Sequence, residues 1–284
     1  MHPFLNTAIR AARKAGDIIA RAVERPDTFE ITEKGHNDFA TNVDRQAESA
    51  IIDIIRKAYP HHHILAEESG KSEGSHRANA TSLLESTHDI TWIIDPLDGT
   101  TNFIHGLPHF AVSIAIQQGA QIEHGVIYDP IRQELFSATR GAGAQLNDRK
   151  IRVSRHPNIE AALLSIHFKQ TPTQTISIET LAYLFDSLQS RVAGLRRSGS
   201  ATLDLAYVAA GRLDGSCEWG LQPWDVAAGS LLVQEAGGMV TDPRGQDTYL
   251  SSGNIVATNP KLLFQLLDLI KQAGQTIIVP KHTA

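Results

Sequence analysis

Apolar positions recur at helical spacing from the start of the chain. Leu5, Ile9, Ala12, Ala15, Ile19 and Ala22 share one stripe and predict an amphipathic opening helix. Ala47, Ile51, Ile54 and Ile55 predict a second helix over residues 43–58, and Ile64-Leu65-Ala66 a short buried strand ending at Glu67-Glu68. Residues 70–86 are polar and predict a surface loop, which delivers the chain into Trp92-Ile93-Ile94, a strand that stops at Asp95-Pro96. From Phe110 to Arg140 the period changes to two: Ala111, Ser113 and Ala115 alternate with Val112, Ile114 and Ile116. A turn near Gly119-Ala120, a strand at Gly125–Tyr128, another at Leu135-Phe136 and a hairpin turn at Gly141-Ala142-Gly143 make an antiparallel meander.

The second half alternates strands and helices. Strands are predicted at residues 162–166, 239–240 and 254–257, and helices at 176–188, 200–210 and 224–236, the last ended by Gly237-Gly238. Pro260 suits a first helical turn and opens a closing helix to about Ala273. With no internal repeat and no clear linker, the pattern predicts a single α/β domain over residues 1–284, its halves meeting near residue 150.

Composition narrows the class. The 284 residues are 42% apolar and 20% charged, an ordinary globular balance. A formal charge of −5 gives no strong nucleic-acid signal. Cys217 is the lone cysteine, so no internal disulfide, zinc ribbon or redox pair can form. The N-terminus lacks a signal-peptide pattern, and no run of about 18 apolar residues predicts a membrane span. A reduced cytoplasmic protein is the expectation.

The densest chemistry lies at Trp92-Ile93-Ile94-Asp95-Pro96-Leu97-Asp98-Gly99-Thr100-Thr101-Asn102-Phe103. A strand ends and hands two carboxylates to one loop; Pro96 removes a donor, and Gly99 permits close backbone approach. Oxygen-only ligands in this arrangement suit a hard cation such as Mg²⁺. The same letters also fit a capped turn.

Asp95–Phe103 resembles the metal-binding motif of the inositol monophosphatase family. Trp224-Asp225-Val226-Ala227-Ala228-Gly229 resembles its second hallmark, and Ala66-Glu67-Glu68-Ser69 its third. Matching segments run in order from Lys34 to Ala257, and Met1-His2-Pro3 and Asn37–Asp44 are similar to a bacterial branch of that family. The resemblance implies a layered α-β-α-β-α sandwich of the inositol monophosphatase and fructose bisphosphatase type. It implies a lithium-sensitive phosphatase using two or three Mg²⁺ ions. Glu67, Asp95 and the Leu97 carbonyl would hold one metal; Asp95, Asp98 and Asp225 a second; Asp44 a weaker third or its waters. Glu67 and Thr100 would orient the attacking water, Gly99 and Thr100 would contact phosphate through their backbone, and Glu218 and Ala201 would contact the substrate alcohol. The resemblance also implies a homodimer and, for the bacterial branch, a protein partner in transcription antitermination. Sister phosphatases of nucleotide 3′-phosphates, fructose bisphosphate or histidinol phosphate share the same metal core. Ser165-Ile166-His167-Phe168 departs from the glycine-containing run expected beside the substrate, and residues 77–89 form a longer stretch than in relatives.

Several residues have simpler readings. Asp225 fits a helix-start cap, Thr41–Asp44 a capping box, Glu68 a solvated carboxylate and Lys34 a surface lysine. Gly70-Lys71-Ser72-Glu73-Gly74 has the letters of a hydrolase elbow without its strand-to-helix frame. His61-His62-His63 reads as a solvated run before a strand.

Overall fold

The computed structural model describes residues 2–25, 29–35, 38–74, 89–169 and 177–276. The opening stripe folds as α1 (Pro3–Val23), whose first turn takes Pro3 at N1 and a cap from His2 Nδ1 to the Phe4 N–H. A small antiparallel hairpin, β1 (Ile31–Gly35) and β2 (Asp38–Thr41), precedes α2 (Asn42–Ala58). Next come β3 (His63–Ala66), β4 (Gly70–Ser72), β5 (Ile90–Asp98), the short α3 (Thr100–Ile104), β6 (Ala111–Gln118), β7 (Gln121–Asp129), β8 (Glu134–Thr139), β9 (Gly143–Leu146) and β10 (Arg149–Lys150). Their strands form an eight-stranded sheet in the order β10-β9-β8-β7-β6-β5-β3-β4, in which β3 and β5 are parallel and the other neighbours antiparallel.

The second half supplies β11 (Leu163–Phe168), α4 (Ile178–Gln189), β12 (Gly194–Arg196), α5 (Ala201–Ala209), β13 (Gly215–Trp219), α6 (Pro223–Glu235), β14 (Met239–Thr241), α7 (Tyr249–Ser252), β15 (Ile255–Thr258) and α8 (Leu263–Thr276). A five-stranded sheet runs β12-β11-β13-β15-β14, with β11 parallel to both its neighbours.

Alternation along β5 and β6 builds the layers. Trp92, Ile94, Val112, Ile114 and Ile116 meet α1 and α2 on one face, while Ile93, Ala111 and Ala115 meet α5 and α6 on the other. Ile255 and Ala257 of the second sheet close over α5 and α6, and its opposite face packs Leu164, Ile166, Cys217 and Val256 under α4 and α8. The result is the α-β-α-β-α order expected, with α5 and α6 largely buried because they lie between two sheets.

The structure corrects several sequence expectations. β5 does not stop at Asp95-Pro96: it bulges there and re-pairs Asp98 with Ala111, so both carboxylates ride on the strand. Gly70-Lys71-Ser72 is not loop but β4, pairing back on β3, whereas 75–88 lie outside the described residues. Pro260 sits in a turn ahead of α8, which starts at Leu263. α5 and α6 pack closely at Gly229 of α6, where an added Cβ would lie 2.5 Å from Leu205 Cβ of α5. Gly229→Ala is therefore expected to destabilise the protein by about 2 kcal/mol through overpacking, read as a lowered urea midpoint.

Candidate metal centre

Asp95 is placed by the bulge itself. Its Oδ1 accepts the Leu97 N–H at 3.0 Å, turning the chain at Pro96, and its side chain is 1% exposed. Gly99 follows with φ +96°, where an added Cβ would come within 3.0 Å of the His109 carbonyl; this turn starts α3 and needs glycine twice over. Glu67 enters from the parallel neighbour: its N–H donates to Ile94 O at 3.1 Å, which sets it beside Asp95 at the same end of the sheet. Asp225 stands at N3 of α6, Pro223 being N1, and its Oδ2 accepts the Gln222 N–H at 2.7 Å. Asp95, Asp98 and Asp225 each present an oxygen within 4.8 Å of the others.

Three carboxylates this close cannot all ionise cheaply. Burial first, then Glu67, Asp98 and Asp225, hold the Asp95 carboxyl well above its ordinary range. Burial, Asp98 and Glu67 push Asp225 up to about 8, with Lys169 opposing. An all-oxygen donor set that repels itself fits a hard divalent cation and fits zinc poorly.

A second tier supports the first. Asp44 is a cap, since Oδ2 accepts both the N–H and the hydroxyl of Thr41, but its Oδ1 also accepts the Thr100 hydroxyl at 3.1 Å. That hydroxyl lies 3.0 Å from Leu97 O as well. Asp98 Oδ2 takes the hydroxyls of Ser200 and Thr202, each at 2.6 Å, and the Thr202 N–H at 2.8 Å. Ala201, between them, opens α5 and is 5% exposed. Glu218 on β13 is fully buried: Oε1 accepts from Ser216, and Oε2 has no partner among the described residues. Burial raises its carboxyl well above the ordinary range, as it raises Asp204 to about 7. His167 on β11 is the register partner of Glu218, and burial lowers it to about 4.

Ser200, Thr202 and Asp204 were missed in the sequence. Ser200 was legible as a helix cap, but nothing local tied it to a carboxylate 102 positions away. Glu68 is half-buried rather than solvated, its N–H donating to Glu48 Oε2. His62 is likewise no solvated residue: it stacks on Tyr59 and lies 2.9 Å from Trp92 Nε1. Ser72 pairs with Arg56 in β4, and Gly141–Gly143 is the expected hairpin turn. The Lys34 side chain lies outside the described residues.

Fold and site together define a phosphatase-like class with an acidic centre between two sheets. The chain belongs to the inositol monophosphatase family, whose model matches residues 1–275. It is 52% identical to the Nus factor SuhB of Escherichia coli (strain K12) over 269 residues, 94% of this chain and 95% of that protein. Among solved structures, the extragenic suppressor protein suhB of Bartonella henselae superposes with TM-score 0.87 at 40% identity, covering 95% of this chain and 99% of that one. The Thermotoga maritima IMPase superposes with TM-score 0.83 at 33% identity, covering 97% and 100%. No helix of the described residues is long and apolar enough to cross a membrane.

The raised carboxyls set a pH dependence. Asp225 moves from 3.8 to about 8, so between those values the metal-free fold holds a proton that the unfolded chain has lost. Stability without metal therefore falls as pH rises through that window. The melting temperature in chelator should drop from about pH 6 to about pH 8, and Asp225→Asn should lessen the drop, since Asp95, Asp204 and Glu218 keep raised carboxyls. A flat wild-type profile would contradict the crowding.

Proposed function

We propose that the protein is a Mg²⁺-dependent phosphomonoester hydrolase acting on inositol monophosphates in the cytoplasm. The observation that carries this reading is the oxygen-only cluster Asp95, Asp98 and Asp225 at the bulged end of β5, with Glu67 alongside. Glu67, Asp95 and the Leu97 carbonyl would hold one Mg²⁺, Asp95, Asp98 and Asp225 another, and Asp44 a weaker third or its waters. Bound there, Mg²⁺ supplies charge neutralisation and Lewis acidity for phosphoryl transfer.

The chain's own groups then divide the work. Thr100 directs its hydroxyl proton toward Asp44 Oδ1 and Leu97 O, which leaves its lone pairs to accept from a water aligned for attack. Glu67 is the second acceptor for that water. The water oxygen bonds to phosphorus and gives its proton to Glu67 as the bond to the alcohol oxygen breaks on the opposite side, and the departing oxygen takes up a proton from solvent. Inversion at phosphorus follows, with no phosphoenzyme. Cys217 is buried and its thiol pushed up to about 12, so it is no rival nucleophile. The backbone of Gly99 and Thr100 is assigned to the phosphate. Ala201 and Glu218 are assigned to the polyol, a role that the unpartnered Glu218 Oε2 supports. The homodimer and the lithium sensitivity belong to the same reading.

Phosphate release from inositol 1-phosphate, fructose 1,6-bisphosphate and 3′-phosphoadenosine 5′-phosphate tests it. Fast Mg²⁺-dependent release from the inositol ester is expected, with Asp98→Asn losing at least about 100-fold in kcat by removing charge from the centre. Release from another ester alone would keep the centre and discard the polyol.

A second reading rests on the 52% identity to a Nus factor: partnership with the transcription antitermination machinery. It predicts that Asp98→Asn restores growth to a deletion strain as well as wild type does. Failure of that variant to complement, with the folded protein present, would tie the cellular role to hydrolysis instead.

A further inference from the structure

We propose that the Thr202 hydroxyl is a positioning group for metal binding at Asp98, an inference that rests on the hydrolase reading above. Thr202 is fully buried at the second position of α5. A buried hydroxyl is costly unless it is bonded, and a helical threonine commonly turns its hydroxyl back to a carbonyl of its own helix. Here the hydroxyl reaches 104 positions away, to Asp98 Oδ2 at 2.6 Å, and has no other hydrogen bond among the described residues. The Thr202 N–H donates to the same oxygen at 2.8 Å. Ser200 also donates to it, but its hydroxyl is shared, since it caps α5 by accepting the Leu203 N–H. Thr202 is thus the one side chain of the three-donor clamp whose hydroxyl has no second task.

All three donors fall on Oδ2, leaving Oδ1 without a donor among the described residues. That asymmetry fixes the carboxylate rotamer and keeps one oxygen open to the cluster with Asp95 and Asp225. It also crosses the molecule. Asp98 lies on the eight-stranded sheet and Thr202 on the helix layer between the sheets, so the clamp holds a ligand from the first half against the second half.

The test is Mg²⁺ binding by isothermal titration calorimetry on the full chain, with Thr202→Val as the isosteric variant lacking the hydroxyl and Thr202→Ser as the variant retaining it. Thr202→Val should weaken Mg²⁺ binding about 10- to 100-fold while Thr202→Ser stays within about 3-fold, the range usual for groups that orient metal ligands. Hydrolysis by Thr202→Val should recover at high Mg²⁺ with KM for the ester unchanged, because the reacting groups are untouched. Should Thr202→Val fail to fold, Thr202→Ala takes its place with the same expectation. Wild-type affinity in the hydroxyl-free variant, or equal weakening in valine and serine variants, overturns the inference while leaving the hydrolase reading intact. Absence of Mg²⁺ binding by the wild-type protein overturns both.

Discussion

Carboxylates gathered away from water repel one another, and the architecture around residues 95–98 is arranged to hold them together regardless. Each is tied through one oxygen to a donor that also defines the local backbone. Asp95 takes the Leu97 N–H that turns β5, Asp225 the Gln222 N–H that starts α6, and Asp44 the Thr41 N–H that starts α2. Asp98 takes the first-turn N–H of α5. Three helix starts therefore converge on one centre, and their partial positive charges offset part of the repulsion, each by roughly 0.3–1 kcal/mol. Capping and ligand roles, which look like rival explanations in the sequence, would under the proposed function be divided between the two oxygens of the same side chain.

That convergence depends on the middle layer. α5 and α6 reach the centre by lying between two sheets, which buries most of their residues and packs them closely, Gly229 leaving no room for a Cβ beside Leu205. The bulge in β5 then carries Asp98 back into register with Ala111, at the edge where α5 begins. A straight strand end would have put Asp95 and Asp98 on a free loop and left their geometry to solvent.

What the sequence made legible follows the same physics. α1, α2 and the meander from β6 to β9 were readable because each buries a periodic apolar face. β13 was not, because it is short and offers only Cys217 and Trp219 as an apolar face, while Ser216 and Glu218 are buried toward the middle layer as polar residues that read as exposed. β1 and β2 escaped for the opposite reason, being a short hairpin whose Ile31 is half exposed. At the centre, Asp95 and Asp98 in one motif and Asp225 in another came together through the family resemblance, and the structure brings their oxygens within 4.8 Å. Ser200 and Thr202 were invisible because a hydroxyl donor has no spacing rule linking it to a carboxylate about a hundred residues earlier.

The dual use of these carboxylates also decides how the two functional readings can be separated. A docking role needs the shape that the capped helices maintain; hydrolysis needs the charge that the same side chains carry. Truncating Asp98 to alanine would remove both at once, leaving the Ser200 and Thr202 donors buried and unpaired at a cost of about 1–3 kcal/mol each. Asparagine keeps an oxygen that can accept from the same donors at Oδ2 and removes the negative charge from the cluster. The clamp that hides Thr202 from sequence reasoning is thus what makes a charge-only substitution at Asp98 physically available, and it separates shape from chemistry at a residue that serves both.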